Sequence, residues 1–256
     1  MNAVRYLRSS LAMERLKIKR TLVIWLAILA PAFVVIVAFG AGYANGEQFY
    51  RTGVNPWINF CEHLLAGWSL FIFPLYVSLL SALYAAIEHQ NRAWGYVYSL
   101  PVPKRSIYLS KLVVLTVLVA LSHLALLLFG LSAGALMGLL KPAYGFEDFA
   151  MPAFMPLACV HLVVCGLGVM VIQLLISLWF SSFIVPAGLG LLATLASAIA
   201  RSFPVSHYSP YLWPFVFLNN TLHVKDWNYA ILVWSVSVYI LGAAISVFLL
   251  GQRSHV

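Results

Sequence analysis

The sequence predicts an all-α integral membrane protein. It has six transmembrane helices, an N-terminal amphipathic interfacial helix, and re-entrant outer helices between helices 5 and 6. Three observations carry this. The chain of 256 residues is 63% hydrophobic and 9% charged, whereas roughly a quarter of the residues in a soluble domain are charged. The mean hydropathy is +0.94. The few charges are clustered, so that long uncharged stretches separate them. So little polar surface cannot cover a water-soluble globule, which excludes a cytosolic enzyme, a secreted domain and a disordered chain.

The uncharged stretches give the spans. Arg20 and Glu47 enclose 26 residues, Glu62 and Glu88 25, Lys111 and Lys141 29, Asp148 and Arg201 52, and Asp226 and Arg253 26. A crossing needs about 20 apolar residues rising about 1.5 Å each. Four stretches therefore hold one crossing and the longest holds two, split near Ser181-Ser182. The expected spans are 21–43, 64–87, 112–139, 155–180, 183–201 and 228–250, all in a single membrane domain, 1–256. Pro31, Pro74 and Pro186 are expected to kink their helices. Gly130, Gly134 and Gly138 form a small-residue row on the third crossing, for packing within the subunit or between subunits.

Three segments lie outside these spans. Residues 1–20 place Val4, Leu7, Leu11 and Ile18 near one helical stripe flanked by bases. This fits a cytoplasmic helix lying on an anionic membrane face, or a plain orientation signal. Residues 202–227 are broken by Pro204, Pro210 and Pro214 and hold no clean span. They form an aromatic interfacial loop, or a pair of short re-entrant helices that protein must cover. Residues 88–111 form the second loop on the terminal side.

Eleven of the 15 bases fall on the side of the two termini, which is net +9, and the far side is net −1. The positive-inside rule then makes both termini cytoplasmic. The composition suits a bacterial inner membrane. The overall charge of +8 is a topology signal and requires no nucleic-acid partner.

Catalytic signatures are missing. There is no HExxH and no GxxxxGK[ST] phosphate loop, and none of the seven acids falls within an expected span. The three cysteines form no CxxC. No catalytic, cofactor-binding or metal-binding residue is expected, and the chain is not read as an enzyme. His123, His161 and Gln173 are polar groups inside spans. They serve interhelical hydrogen bonds or a substrate path.

The most patterned stretch is EHQNRAWGYVYSLPVPKRSIYLSK, Glu88 to Lys111. Trp94, Tyr96, Val97 and Leu100 can form one side of a short amphipathic helix that Pro101 and Pro103 stop. Such a rod either anchors in a partner's groove or binds lipid only. The stretch, with Glu88 at its start, Trp94 six residues on, SLPVPK, and Lys111 at the mouth of the third crossing, resembles the permease subunits of type-two ABC exporters. Among these it is most similar to the short lantibiotic-immunity and multidrug permeases.

The resemblance implies a function. The segment from about His89 to Leu100, with Arg92 and Trp94, would be a coupling helix docking on an ATPase. Glu88 would be the acidic residue at the cytoplasmic mouth, Pro101 and Lys104 the turn after the helix, and Lys111 the entry lysine. An extra proline, Pro103, leaves open whether Lys104 or Arg105 fills the family's basic position. Residues 203–222 would match the outer re-entrant helices. Two separate ABC ATPases would hold ATP and magnesium, and a second permease, identical or homologous, would complete the unit. The substrate would be an amphiphile such as a peptide antibiotic, a drug or a lipid-like molecule. Trp68, Phe71, Phe73, His123 and Gln173 are the candidate path residues. A stand-alone carrier or channel and a non-transporting anchor subunit are the competing readings. An intramembrane enzyme using His123 or His161 would lack a nucleophile or acid at compatible spacing.

Overall fold

A computed structural model describes residues 3–50, 53–90, 102–224 and 229–252. The described residues form helices joined by turns and short irregular stretches, with no strand. In chain order the helices are α1 Ala3–Ile18, α2 Leu22–Phe49, α3 Pro56–Gly67, α4 Phe73–Gln90, α5 Lys104–Leu140, α6 Phe154–Cys165, α7 Leu167–Trp179, α8 Ile184–Ala200, α9 Trp213–Asn219 and α10 Tyr229–Gln252.

Among the described residues four helices are long and apolar enough to cross a membrane: Leu22–Phe49, Pro56–His89, Lys104–Leu140 and Tyr229–Leu249. The pair α6 and α7, bent by 41° at Gly166, makes a fifth if it is one span. With 17 residues, α8 is a shorter apolar helix, at the low end of what a crossing needs. Phe180 to Phe183, including Ser181-Ser182, separates it from α7. Pro186 falls in the first turn of α8, where its missing N–H takes no bond from the helix. It therefore opens a helix instead of kinking one. In α2 the non-helical backbone is at Asn45, near the end, and Pro31 lies within the helix.

The Pro56–His89 element is the core of the bundle. Of its most apolar window 61% is buried, against 17% to 39% in the other three. Leu64, Leu65, Trp68, Val77 and Leu80 are sealed inside it. Its two halves, α3 and α4, join through a π-helical turn, Trp68–Ile72. The physical cause is Pro74. It has no N–H to return to the preceding turn, and its ring crowds the carbonyl four residues back. The Phe73 N–H reaches instead to the Trp68 carbonyl, and the helix continues.

Around this element, α5 packs on α2, and α4 packs on α7 and α8. The glycine row of α5 serves a close contact with α3 within the chain. A Cβ at Gly134 would meet the Trp57 ring at 2.2 Å, and one at Gly130 would meet Leu64 at 3.0 Å. The bend between α6 and α7 has a similar cause. The Phe73 ring lies where a Gly166 side chain would be. Ser235 of α10 accepts from the Gly168 N–H at 3.0 Å and donates to the Cys165 carbonyl at 2.9 Å, inserting into the helical ladder.

The stretch after α8 holds a 3₁₀ turn, Pro204–Tyr208, then α9. Trp213, Val216 and Phe217 of α9 are buried against Cys165 and Ile231. The helix touches α3 and the 68–72 turn, 12 to 16 residues along from Pro56, which is about 18–24 Å.

Candidate functional site

At one end of the bundle three elements meet: α1, the last turns of α4 and the first turns of α5. The 37 residues of α5 run about 55 Å, well beyond the roughly 30 Å apolar layer of a bilayer. Pro103 caps its start, and its carbonyl accepts the Ser106 N–H at 2.8 Å. Lys104 to Lys111 are thus the first two turns of a helix.

Arg20 turns the chain from α1 into α2 in the left-handed conformation, φ 65°. The Thr21 amide and hydroxyl cap the Ile18 carbonyl at 3.1 and 2.7 Å. That turn folds α1 back onto α5. Leu7, Leu11 and Ile18 are half-buried on its inner side, together with Ser10 and Glu14, which are buried. Val4 stays exposed.

Four charges close into a network on this face. Lys17 Nζ is 2.7 Å from Glu14 Oε1 and 2.6 Å from Glu88 Oε1. Lys111 Nζ is 3.0 Å from Glu14 Oε2 and 2.9 Å from Glu88 Oε1. The Tyr84 hydroxyl donates to Glu14 Oε2 at 2.5 Å, and Lys111 sits 4.6 Å from the centre of the Tyr84 ring. Glu14, Glu88 and Lys111 are each 1% exposed. Two carboxylates against two ammoniums make the cluster neutral, which is what allows it to be buried. Burial alone would raise the Glu14 carboxyl. The charge of Lys111 and the contacts of Lys17 and Tyr84 outweigh it and hold the group below the usual carboxylate range. For Lys17 burial pulls downward, and the bonds to Glu14 and Glu88 outweigh it, so its ammonium is held above its ordinary value. Glu88 Oε2 is buried and accepts no bond among the described residues.

The structure thus brings Glu88 and Lys111 into contact. Lys104 is half-buried in the first turn of α5. Arg92, Trp94, Tyr96, Val97, Leu100 and Pro101 lie outside the described residues. Sequence reasoning missed Glu14, Lys17 and Tyr84. A signal existed: Glu14 is the one acid among six bases in the first twenty residues, on the same stripe as the apolar residues. An acid on the inward stripe calls for a buried base.

The path candidates form a second polar set inside the bundle. Trp68 Nε1 donates to His123 Nε2 at 3.1 Å, and His123 Nδ1 donates to the Val119 carbonyl at 2.9 Å. Phe73 packs edge-on to the same imidazole, ring centres 4.9 Å apart. Gln173 donates to the Pro186 carbonyl at 2.6 Å and accepts from the Tyr211 hydroxyl at 2.7 Å. These bonds end within the chain, and Phe71 is the half-buried member of the set. The His161 ring packs on Phe217 of α9 at 5.1 Å. Among the described residues no group of three His, Cys, Asp or Glu is placed to hold a metal.

Against known proteins, the family described as ABC-2 family transporter protein matches residues 10–197. The chain belongs to the ABC-2 transporter family. This makes it a multi-pass membrane subunit of an ABC transporter, from a family of transport components that are generally non-catalytic. The match includes Glu14, Lys17, Glu88 and Lys111. No curated protein and no solved structure matches the chain.

Proposed function

We propose that this ABC-2 subunit is the permease of an ATP-driven exporter in a bacterial inner membrane, moving an amphiphilic substrate such as a peptide antibiotic, a drug or a lipid-like molecule. Two partner ATPases hold ATP and magnesium, and a second permease, identical or homologous, faces this one. The chain crosses the membrane six times with both termini in the cytoplasm, and 202–227 is the outer re-entrant segment. The exposed bases of α1 rest on anionic lipid, and no nucleic acid takes part.

One observation carries the reading: the buried network tying α1, α4 and α5 at the end where 91–101 joins α4 to α5. A push on the 89–100 segment reaches Glu88 at once. Through Lys17 and Lys111, Glu88 passes it to α1 and α5. Buried ion pairs hold defined geometries, so the three elements move as one body. Glu88 Oε2, buried and with no partner among the described residues, is an acceptor for a donor arriving with the coupling segment or the ATPase. The continuous Pro56–His89 element then carries the displacement toward the far side. The path in this reading runs between the two permeases along exposed side chains near Phe71, with Trp68, Phe73, His123 and Gln173 as the stiff wall behind it.

The test is coexpression with the ATPase. Trp94→Ala with Leu100→Ala should release the ATPase during purification and abolish export, while the permease keeps its melting temperature. Unchanged copurification and unchanged transport would remove the coupling role of this segment.

A further inference from the structure

At the end of the bundle away from α1, a groove lies between α2 and α3. One part, about 190 Å³, is apolar and is lined by Val34, Val37, Ala38, Phe60 and Gly67. The adjoining part, about 260 Å³, is lined by Gln48, Asn55, Asn59 and Glu62. Phe49, Tyr50 and Asn59 border both, so the two parts adjoin. Together they reach the size of small-molecule sites. We propose that this groove binds a single-chain cationic amphiphile, a primary ammonium with a long alkyl tail.

The chemistry of the lining selects that occupant. Asn55 is the N-cap of α3, and Asn59 and Glu62 follow at i+4 and i+7. Glu62 is half-buried, Asn55 and Asn59 are neutral amides, and no Lys or Arg lines either part among the described residues. His63 also lines the apolar part, against the Phe49 ring at 5.1 Å. Its Nδ1 donates to the Asn59 carbonyl at 2.8 Å, so in the neutral ring Nε2 is an acceptor. Carboxylate and imidazole nitrogen both suit a headgroup that carries N–H donors and positive charge. An anionic head would meet Glu62 with no Lys or Arg among the described lining residues to compensate it. The tail would run toward Gly67, where a Cβ would have no atom within 4 Å. Asn45 leaves helical geometry at φ −123°, ψ 22°, and sets off the last turn of α2, which carries Gln48 and Phe49 to the groove.

The inference concerns binding and stands without the transport reading. It is tested on the full chain in phosphatidylcholine nanodiscs, with a dodecylamine carrying a diazirine in mid-chain. After photolysis, peptide mapping should place adducts on 34–50 and 55–67. Excess dodecylamine should compete them away and dodecyl sulfate should not. Gly67→Phe fills the tail space, and Glu62→Gln removes the head contact. Each should lower the specific adduct about tenfold, the loss of one charge-assisted or well-packed contact, with the melting temperature kept. Adducts spread evenly over the exposed faces of α2, α5 and α10 would overturn the proposal. So would equal competition by dodecyl sulfate, or unchanged labelling in Glu62→Gln.

Discussion

Three donors converge on the two oxygens of Glu14: Lys17, Lys111 and the Tyr84 hydroxyl. Removing that charge leaves Lys111 buried with Glu88 as its one anionic contact among the described residues. Glu14→Gln should destabilise the protein by about 3 kcal/mol, the usual loss when one partner of a buried pair is removed. A thermal melt in nanodiscs reads it. A double mutant with Lys111→Met should lose less than the sum of the single losses, because the two side chains share the interaction. The network also gives a pH signature. The Glu14 carboxyl is held below its ordinary value near 4.5, so its contribution is complete above that pH and fades as pH falls through the folded value. Lys17 is held above its ordinary 10.5, so its contribution is complete below that pH and fades as pH rises through the folded value. Melting temperature against pH should therefore fall on the acid side below about 4.5 and again in strong alkali, and Glu14→Gln should flatten the acid limb.

The helices differ in how much substitution they tolerate, and the glycines measure it. On α5, Gly134 faces the Trp57 ring, whose Nε1 is tied to the Phe146 carbonyl at 3.1 Å and cannot swing away. Gly134→Ala should cost about 1–3 kcal/mol through overpacking. On α8, a Cβ at Gly188 would meet nothing within 4 Å, and Gly188→Ala should be neutral or stabilising by up to about 1 kcal/mol. Melting temperatures of the two variants decide the point. The sequence pattern showed the glycine row as a row. It did not show which neighbour filled it, because Trp57 and Gly134 are brought together only when α3 packs on α5. The π turn at 68–72 was hidden for a related reason. Pro74 announces a local defect, but whether a helix kinks, ends or widens depends on what the neighbouring helices leave room for.

For the whole bundle, topology is the quantity to measure. Cys61, Cys159 and Cys165 are buried, so the native chain should give little background with an impermeant maleimide. Val205 is 60% exposed. Val205→Cys should label from the outside of intact cells, and labelling from the cytoplasmic side alone would overturn the proposed orientation and span count. The sequence by itself determined that this is a helical membrane protein, because uncharged runs of this length have no other stable environment. It also singled out Glu88 and Lys111, since charges at the ends of apolar runs stand out. Only the tertiary structure decided that Glu14 and Lys17 join them. The partners are separated by 71 residues for Lys17 and Glu88 and by 97 for Glu14 and Lys111, and local periodicity holds no information about such pairs. The same limit applies to Gln173, whose amide is satisfied by Pro186 and Tyr211. A polar side chain in an apolar run announces that it needs a partner, and the folding of distant helices against it settles which one it has.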